Sequence, residues 1–167
     1  MGMNPLNRRQ MLAAMSALTL APNMALSEEF IDLDWEDLLP EGEEPQPTIL
    51  QDFIDHTKNV LLSSQPASSG ARGDWNGKIV RIPGYVVPIE YSGTGVTAFI
   101  LVPFVGACVH VPPPPANQLV FVTTETPFET GGLYEPVNVI GMFGTASTRT
   151  QLADVAYALS ADRIELY

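Results

Sequence analysis

KIVRIPGYVVPIEY, residues 78–91, decides the fold. Its β-branched and aromatic residues read as one long strand, and Pro83 followed by Gly84 interrupts it where a straight central strand tolerates neither. A bulge or sharp bend is therefore expected at Pro83 and Gly84, the device by which one strand serves two sides of a barrel. Asn76 and Gly77 mark a turn before it, and residues 93–95 mark another after it. Residues 96–102 are apolar on both faces and predict a central strand. Further strands are expected at 119–123 and, after a polar loop with Gly131 and Gly132, at 137–143. The runs 155–159 and 164–167 give either a fifth strand or a final hairpin. Residues 74–167 thus predict a mainly β domain, a small five-stranded OB-like, partly open barrel, with a sandwich-like meander as the alternative.

Upstream of the barrel the chain changes character several times. Arg8 and Arg9 precede an apolar run at 11–20, too short to span a bilayer but suited to the core of an export signal, and Ala25 and Ser27 offer a cleavage site before Glu28. Residues 1–27 therefore read as a cleaved leader, either twin-arginine-like or an ordinary secretory signal, and place the mature protein in the periplasm or otherwise outside the cytoplasm. Residues 28–47 form an acidic extension in which Trp35, Leu38 and Leu39 are interleaved with nine acids. It is expected to fold back onto its own domain; the other reading makes Trp35, Leu38 and Leu39 a short anchor for a partner, another exported or envelope protein. Thr48 with Gln51 forms a capping box, and Leu50, Phe53, Ile54, Thr57 and Leu61 share one face, predicting an N-terminal amphipathic helix over 48–62. Residues 63–73, SSQPASSGARG, have the composition of a flexible linker.

Composition narrows the partners. Nineteen acidic residues against eight basic ones give a formal net charge of −11 in 167 residues, which argues against nucleic acid and against an anionic membrane surface. No transmembrane span is expected in the mature chain. The single cysteine rules out an intramolecular disulfide.

That cysteine lies in GACVHVPPPPANQ, residues 106–118. If Cys108 and His110 stand two apart in an extended segment, both side chains project from one face and Val109 and Val111 turn to the core. Pro112, Pro113, Pro114 and Pro115 have no N–H to donate and favour a stiff polyproline II rod, which either braces the loop over the core or docks a partner. Three readings follow. Cys108 and His110 bind a divalent transition metal such as zinc, with His56 as the candidate third ligand and the four prolines, Asn117 and Gln118 supporting the site. Cys108 acts as a nucleophile with His110 as base and Asn117 as orienting group, a hydrolase arrangement against which the two-residue spacing counts. In the third, Cys108 is a small buried hydrophobe, and His110 and Asn117 satisfy carbonyls of the proline loop.

IVRIPGYVVPIEY at 79–91, FILVPFVGACVHVPPPPANQ at 99–118, VNVIGMF at 137–143 and the ending ADRIELY together resemble a bacterial exported family known only as domain of unknown function 3299. DWEDLLP at 34–40 fits the same pattern, whereas Phe104 and Val105 stand where a more aromatic pair is expected. The resemblance carries over no established activity. Through the zinc-responsive transport systems that some members are thought to lie beside, it favours the metal reading. The sequence reading is thus an exported binding or accessory module, not committed to an enzyme.

Overall fold

A computed structural model of the chain describes residues 29–43, 65–109 and 112–167. Six strands follow in order: β1 (Ile31–Asp32), β2 (Lys78–Ser92), β3 (Gly95–Val102), β4 (Val120–Phe128), β5 (Pro136–Arg149) and β6 (Asp154–Leu166). The expected helix over 48–62 and the expected leader over 1–27 lie outside the described residues. Among the described residues, two short 3-10 turns, Trp35–Leu38 and Ala116–Gln118, stand beside the strands.

The long strand does serve two sides. Lys78 to Tyr85 of β2 pair antiparallel with β5, and from Tyr85 onward β2 pairs with β3, so Tyr85 is the residue at which one partner hands over to the other. Gly84, next to it, lies where an added Cβ would come within 2.7 Å of the Leu101 side chain and 2.9 Å of the Val102 carbonyl oxygen. Only glycine lets the bent strand lie so close against β3. The register irregularities themselves fall later than Pro83, between Pro88 and Tyr91. β3 pairs with β4, β4 runs parallel to β6, and β6 pairs with β5, which returns to β2. The ring β2-β3-β4-β6-β5 is therefore closed, and the expected partly open barrel is corrected: the parallel β4–β6 pairing shuts the gap. The runs 155–159 and 164–166 likewise belong to one strand and not to a hairpin: at Asp162 the chain skips one place in its register with β5, Ala161 facing Gly141 and Arg163 facing Ile140, and Tyr167 lies just past the strand's end.

Two apolar layers explain why β3 is hydrophobic on both faces. Val80, Ile82, Val86, Phe99, Leu101, Val120, Val122, Phe143 and Tyr157 fill the main core, while Val87, Ile100, Val102, Leu119 and Val155 form a second cluster. Ala107, Phe104 and Cys108 from the loop after β3 cover that second cluster.

The acidic extension folds back, as its interleaved apolar residues suggest. Leu33 and Leu38 are buried in the main core, β1 pairs parallel with Val80 and Arg81 of β2, and the Leu33 N–H donates to the Arg81 carbonyl at 2.9 Å. Its charges stay in water; Arg81 pairs with Asp32 at 2.6 Å on the surface, a contact worth little by itself. The stretch whose composition suggests a flexible linker is hydrogen-bonded to the barrel over residues 65–72. Gln65 accepts from the Asp154 N–H at 2.8 Å and donates to the Asp154 and Pro114 carbonyls at 2.7 and 2.9 Å. The Arg72 N–H donates to the Tyr157 hydroxyl at 2.7 Å, and that hydroxyl donates to the Leu38 carbonyl at 2.7 Å.

Tyr157 is fully buried and stacked on Phe143 with ring centroids 5.2 Å apart, so one hydroxyl pins both the extension and the strap to the barrel. Tyr157→Phe keeps the ring but strips partners from the Arg72 N–H and the Leu38 carbonyl. It is expected to lower unfolding stability by about 1–3 kcal/mol in urea titrations, with faster amide exchange at residues 33–39 and 65–72.

Candidate functional site

The loop after β3 does not continue as a strand. The Val109 N–H closes a turn onto the Gly106 carbonyl at 3.4 Å, and Cys108 has φ of 67°, a left-handed conformation rare outside glycine. This corrects the extended-chain premise. Across a left-handed residue the rule that i and i+2 share a face no longer holds, and Val109, expected in the core, is 47% exposed. Cys108 packs against the second apolar cluster, and this burial raises its thiol from an ordinary 9.0 to about 12. The Tyr134 hydroxyl donates to the Ala107 carbonyl at 2.9 Å beside it; burial first and the neighbouring Cys108 second raise that phenol too.

The raised thiol runs opposite to what a free nucleophilic thiolate needs. His110 and His56 lie outside the described residues, and no three His, Cys, Asp or Glu side chains come together among the described ones. The described residues alone group no three metal ligands, and burial favours the neutral thiol at Cys108.

Asn117 and Gln118 have a different task from the expected one. Asn117, 1% exposed, donates through Nδ2 to the Ser69 Oγ at 3.1 Å and the Gly70 carbonyl at 3.0 Å, holding the strap and not the proline loop. The proline carbonyls are met by others: Pro114 accepts from Gln65, and Pro115 accepts from the Gln118 N–H at 2.8 Å. Gln118 then donates through Nε2 to the Trp35 carbonyl at 2.9 Å. The loop thus sets the position of a residue 83 places earlier in the sequence than Gln118.

Trp35 is the second centre. Its indole N–H donates to the Pro83 carbonyl at 2.8 Å, which fixes the ring beside the bend of β2. There it forms a cleft of about 220 Å³ with Pro83, Tyr85, Pro103, Pro136 and Tyr167. The Tyr167 N–H donates to the Pro136 carbonyl at 3.0 Å, so the residue after β6 is held at the start of β5. Every side chain of the lining is aromatic or proline, apart from Gly84 at the bend. Sequence reading singled out Trp35 but missed Tyr85, Pro103, Pro136 and Tyr167, which are scattered over the chain and meet only because the barrel closes. The repeated pairing of an aromatic with a nearby proline, as in Pro83 and Tyr85, is the one local hint.

A family model described as "Protein of unknown function (DUF3299)" matches residues 35–166. The chain belongs to the DUF3299 family. A crystal structure of a DUF3299 family protein from Pseudomonas aeruginosa PAO1 is 34% identical in sequence, with a TM-score of 0.73, covering 83% of this chain and 97% of that one. No curated protein matches the chain. The DUF3299 match begins at Trp35 itself, so the cleft lies within the matched region apart from Tyr167, the residue just beyond it. No helix among the described residues is long and apolar enough to cross a membrane.

The Cys108 thiol is expected to resist iodoacetamide at pH 7.5 in the folded protein and to react at the rate of free cysteine once unfolded in urea. Because the folded thiol holds its proton more tightly than the unfolded one, its contribution to stability is complete below pH 9 and is lost as pH rises from there to about 12. Urea midpoints measured from pH 8 to 11 are expected to fall more steeply for the native protein than for Cys108→Ala, the difference isolating this group from Tyr134 and Tyr157, whose phenols shift the same way.

Proposed function

We propose that this DUF3299 protein is an exported, non-enzymatic accessory module that binds another envelope protein through the Trp35, Tyr85 and Tyr167 cleft. One observation carries the reading: the docked acidic extension lends Trp35 to an uncharged aromatic cleft on a protein of net charge −11. Aromatic side chains at a solvent-open, well-supported position are the residues that dominate protein recognition. The leader at residues 1–27 supports export to the periplasm. The strand order and the shared first barrel strand support an OB-like barrel, a scaffold whose surface and loops commonly bind while the core stays fixed. The zinc reading has less support here, since Cys108 packs in an apolar cluster and no three His, Cys, Asp or Glu side chains gather among the described residues.

Two measurements test this. Protein purified without chelator or affinity tag is expected to carry well under one equivalent of zinc by mass spectrometry; one equivalent that Cys108→Ser removes would restore the metal reading. Benzoyl-phenylalanine placed at Tyr167 in the exported protein is expected to cross-link in its host to a discrete protein, while the same group at Met142, exposed and about 20 Å along β5 from Pro136, is not. Equal adducts at both positions, or none at Tyr167, would end the binding-module reading.

A further inference from the structure

Resting on that binding reading, we propose that the cleft takes an extended, proline-rich segment of the partner, one that carries lysine or arginine beside its prolines. Three features of the cleft select this chemistry.

The first is size and shape. At about 220 Å³ the cleft is too small for an α-helix, which needs a trough about 10 Å across, but it suits the narrow ridge of a polyproline II segment. Trp35, Tyr85 and Tyr167 supply ring faces, and Pro83, Pro103 and Pro136 separate them with rigid apolar walls. Pyrrolidine rings stack well on such faces, and a segment already held in one conformation loses little entropy on docking.

The second is hydrogen bonding. A proline-rich backbone offers carbonyl oxygens and few N–H groups, so its binding site must donate. The Trp35 N–H is already committed to Pro83. The Tyr85 and Tyr167 hydroxyls have no hydrogen-bond partner among the described residues and can donate to ligand carbonyls. An ordinary extended strand would instead bring N–H groups needing acceptors, and it would need an open sheet edge, which the closed ring does not provide here.

The third is charge. Asp34 and Glu36, both exposed, flank Trp35, and Glu135 precedes Pro136. These acids adjoin cleft residues in sequence, the Asp34 carboxylate capping the 3-10 turn and that of Glu135 lying at Gly131, around a lining that is itself uncharged on a strongly acidic chain. Cationic side chains next to the prolines would be drawn to a surface of that sign, and acidic ones repelled.

The mature full chain is titrated by calorimetry with three acetylated peptides: four prolines followed by two arginines, four prolines followed by two glutamates, and four glycines followed by two arginines. The proline–arginine peptide is expected to bind at least tenfold more tightly than either of the others, and Tyr167→Ala to weaken it at least fivefold. Tyr85→Ala should do the same where its melting curve remains cooperative; Tyr167→Ala, at an 84% exposed position, serves where Tyr85→Ala fails to fold. Met142→Ala should bind as the native chain does. Equal binding of the glycine peptide, or of the glutamate peptide, overturns the proposal, as does absence of binding by all three. If Tyr167 cross-links a discrete protein in the host while the peptides do not bind, the partner is of another chemistry and the binding reading survives without this inference.

Discussion

Four consecutive prolines present carbonyls to their surroundings with no N–H groups to return, and the rest of the structure is arranged around that deficit. Gln65 and the Gln118 N–H supply the missing donors at Pro114 and Pro115. In doing so they tie a strap and a 3-10 turn to the end of the barrel. The Gln118 side chain passes the constraint on to Trp35, and Asn117 passes it to Ser69 and Gly70. The buried amides are costly unless paired, so their partners are fixed closely. One acceptor, Asn117 Oδ1, has no partner among the described residues.

From that anchor the extension and the barrel become a single object. Trp35 is held by its carbonyl from one side and by its indole N–H from the other, at Gln118 and at Pro83. Leu33 and Leu38 enter the core, and the Leu38 carbonyl accepts from Tyr157. The bend of β2 at Gly84 and Tyr85 is thereby both the point where the barrel changes partners and the floor of the cleft. Architecture and candidate site share the same few residues, which is why a substitution at the bend would disturb both.

Much of the barrel was legible in the sequence, because alternation of β-branched residues with turn residues carries strand positions directly. Lys78 to Tyr91 and Val96 to Val102 lie within single strands, and the Pro83–Gly84 interruption correctly marked a strand with two partners. Closure was not legible, since a parallel pairing between residues near 120 and near 157 leaves no local trace. The extension's folding back could be read from its buried leucines, whereas the ordered strap could not: serine and glycine there are held by side-chain amides from distant positions. Of the three readings of Cys108 the small buried hydrophobe fits its packing, while the extended-chain premise failed for a specific reason. A positive φ at a non-glycine residue is imposed by the surrounding loop, and valine-rich flanks gave the opposite local signal. The cleft escaped because Tyr85, Pro136 and Tyr167 acquire a common meaning only after β5 and β6 close the ring.

Closure also bears on how this chain avoids unwanted company. Most barrel backbone is paired on both sides, but the first half of β2 would have a bare flank beyond β3 were it not for the two residues of β1. Exposed strand flanks template intermolecular stacking, and a two-residue cover is the smallest that masks one. The acidic extension therefore caps that flank with its two-residue strand, Asp32 and Asp34 exposed beside it and Leu33 and Leu38 anchoring it in the core.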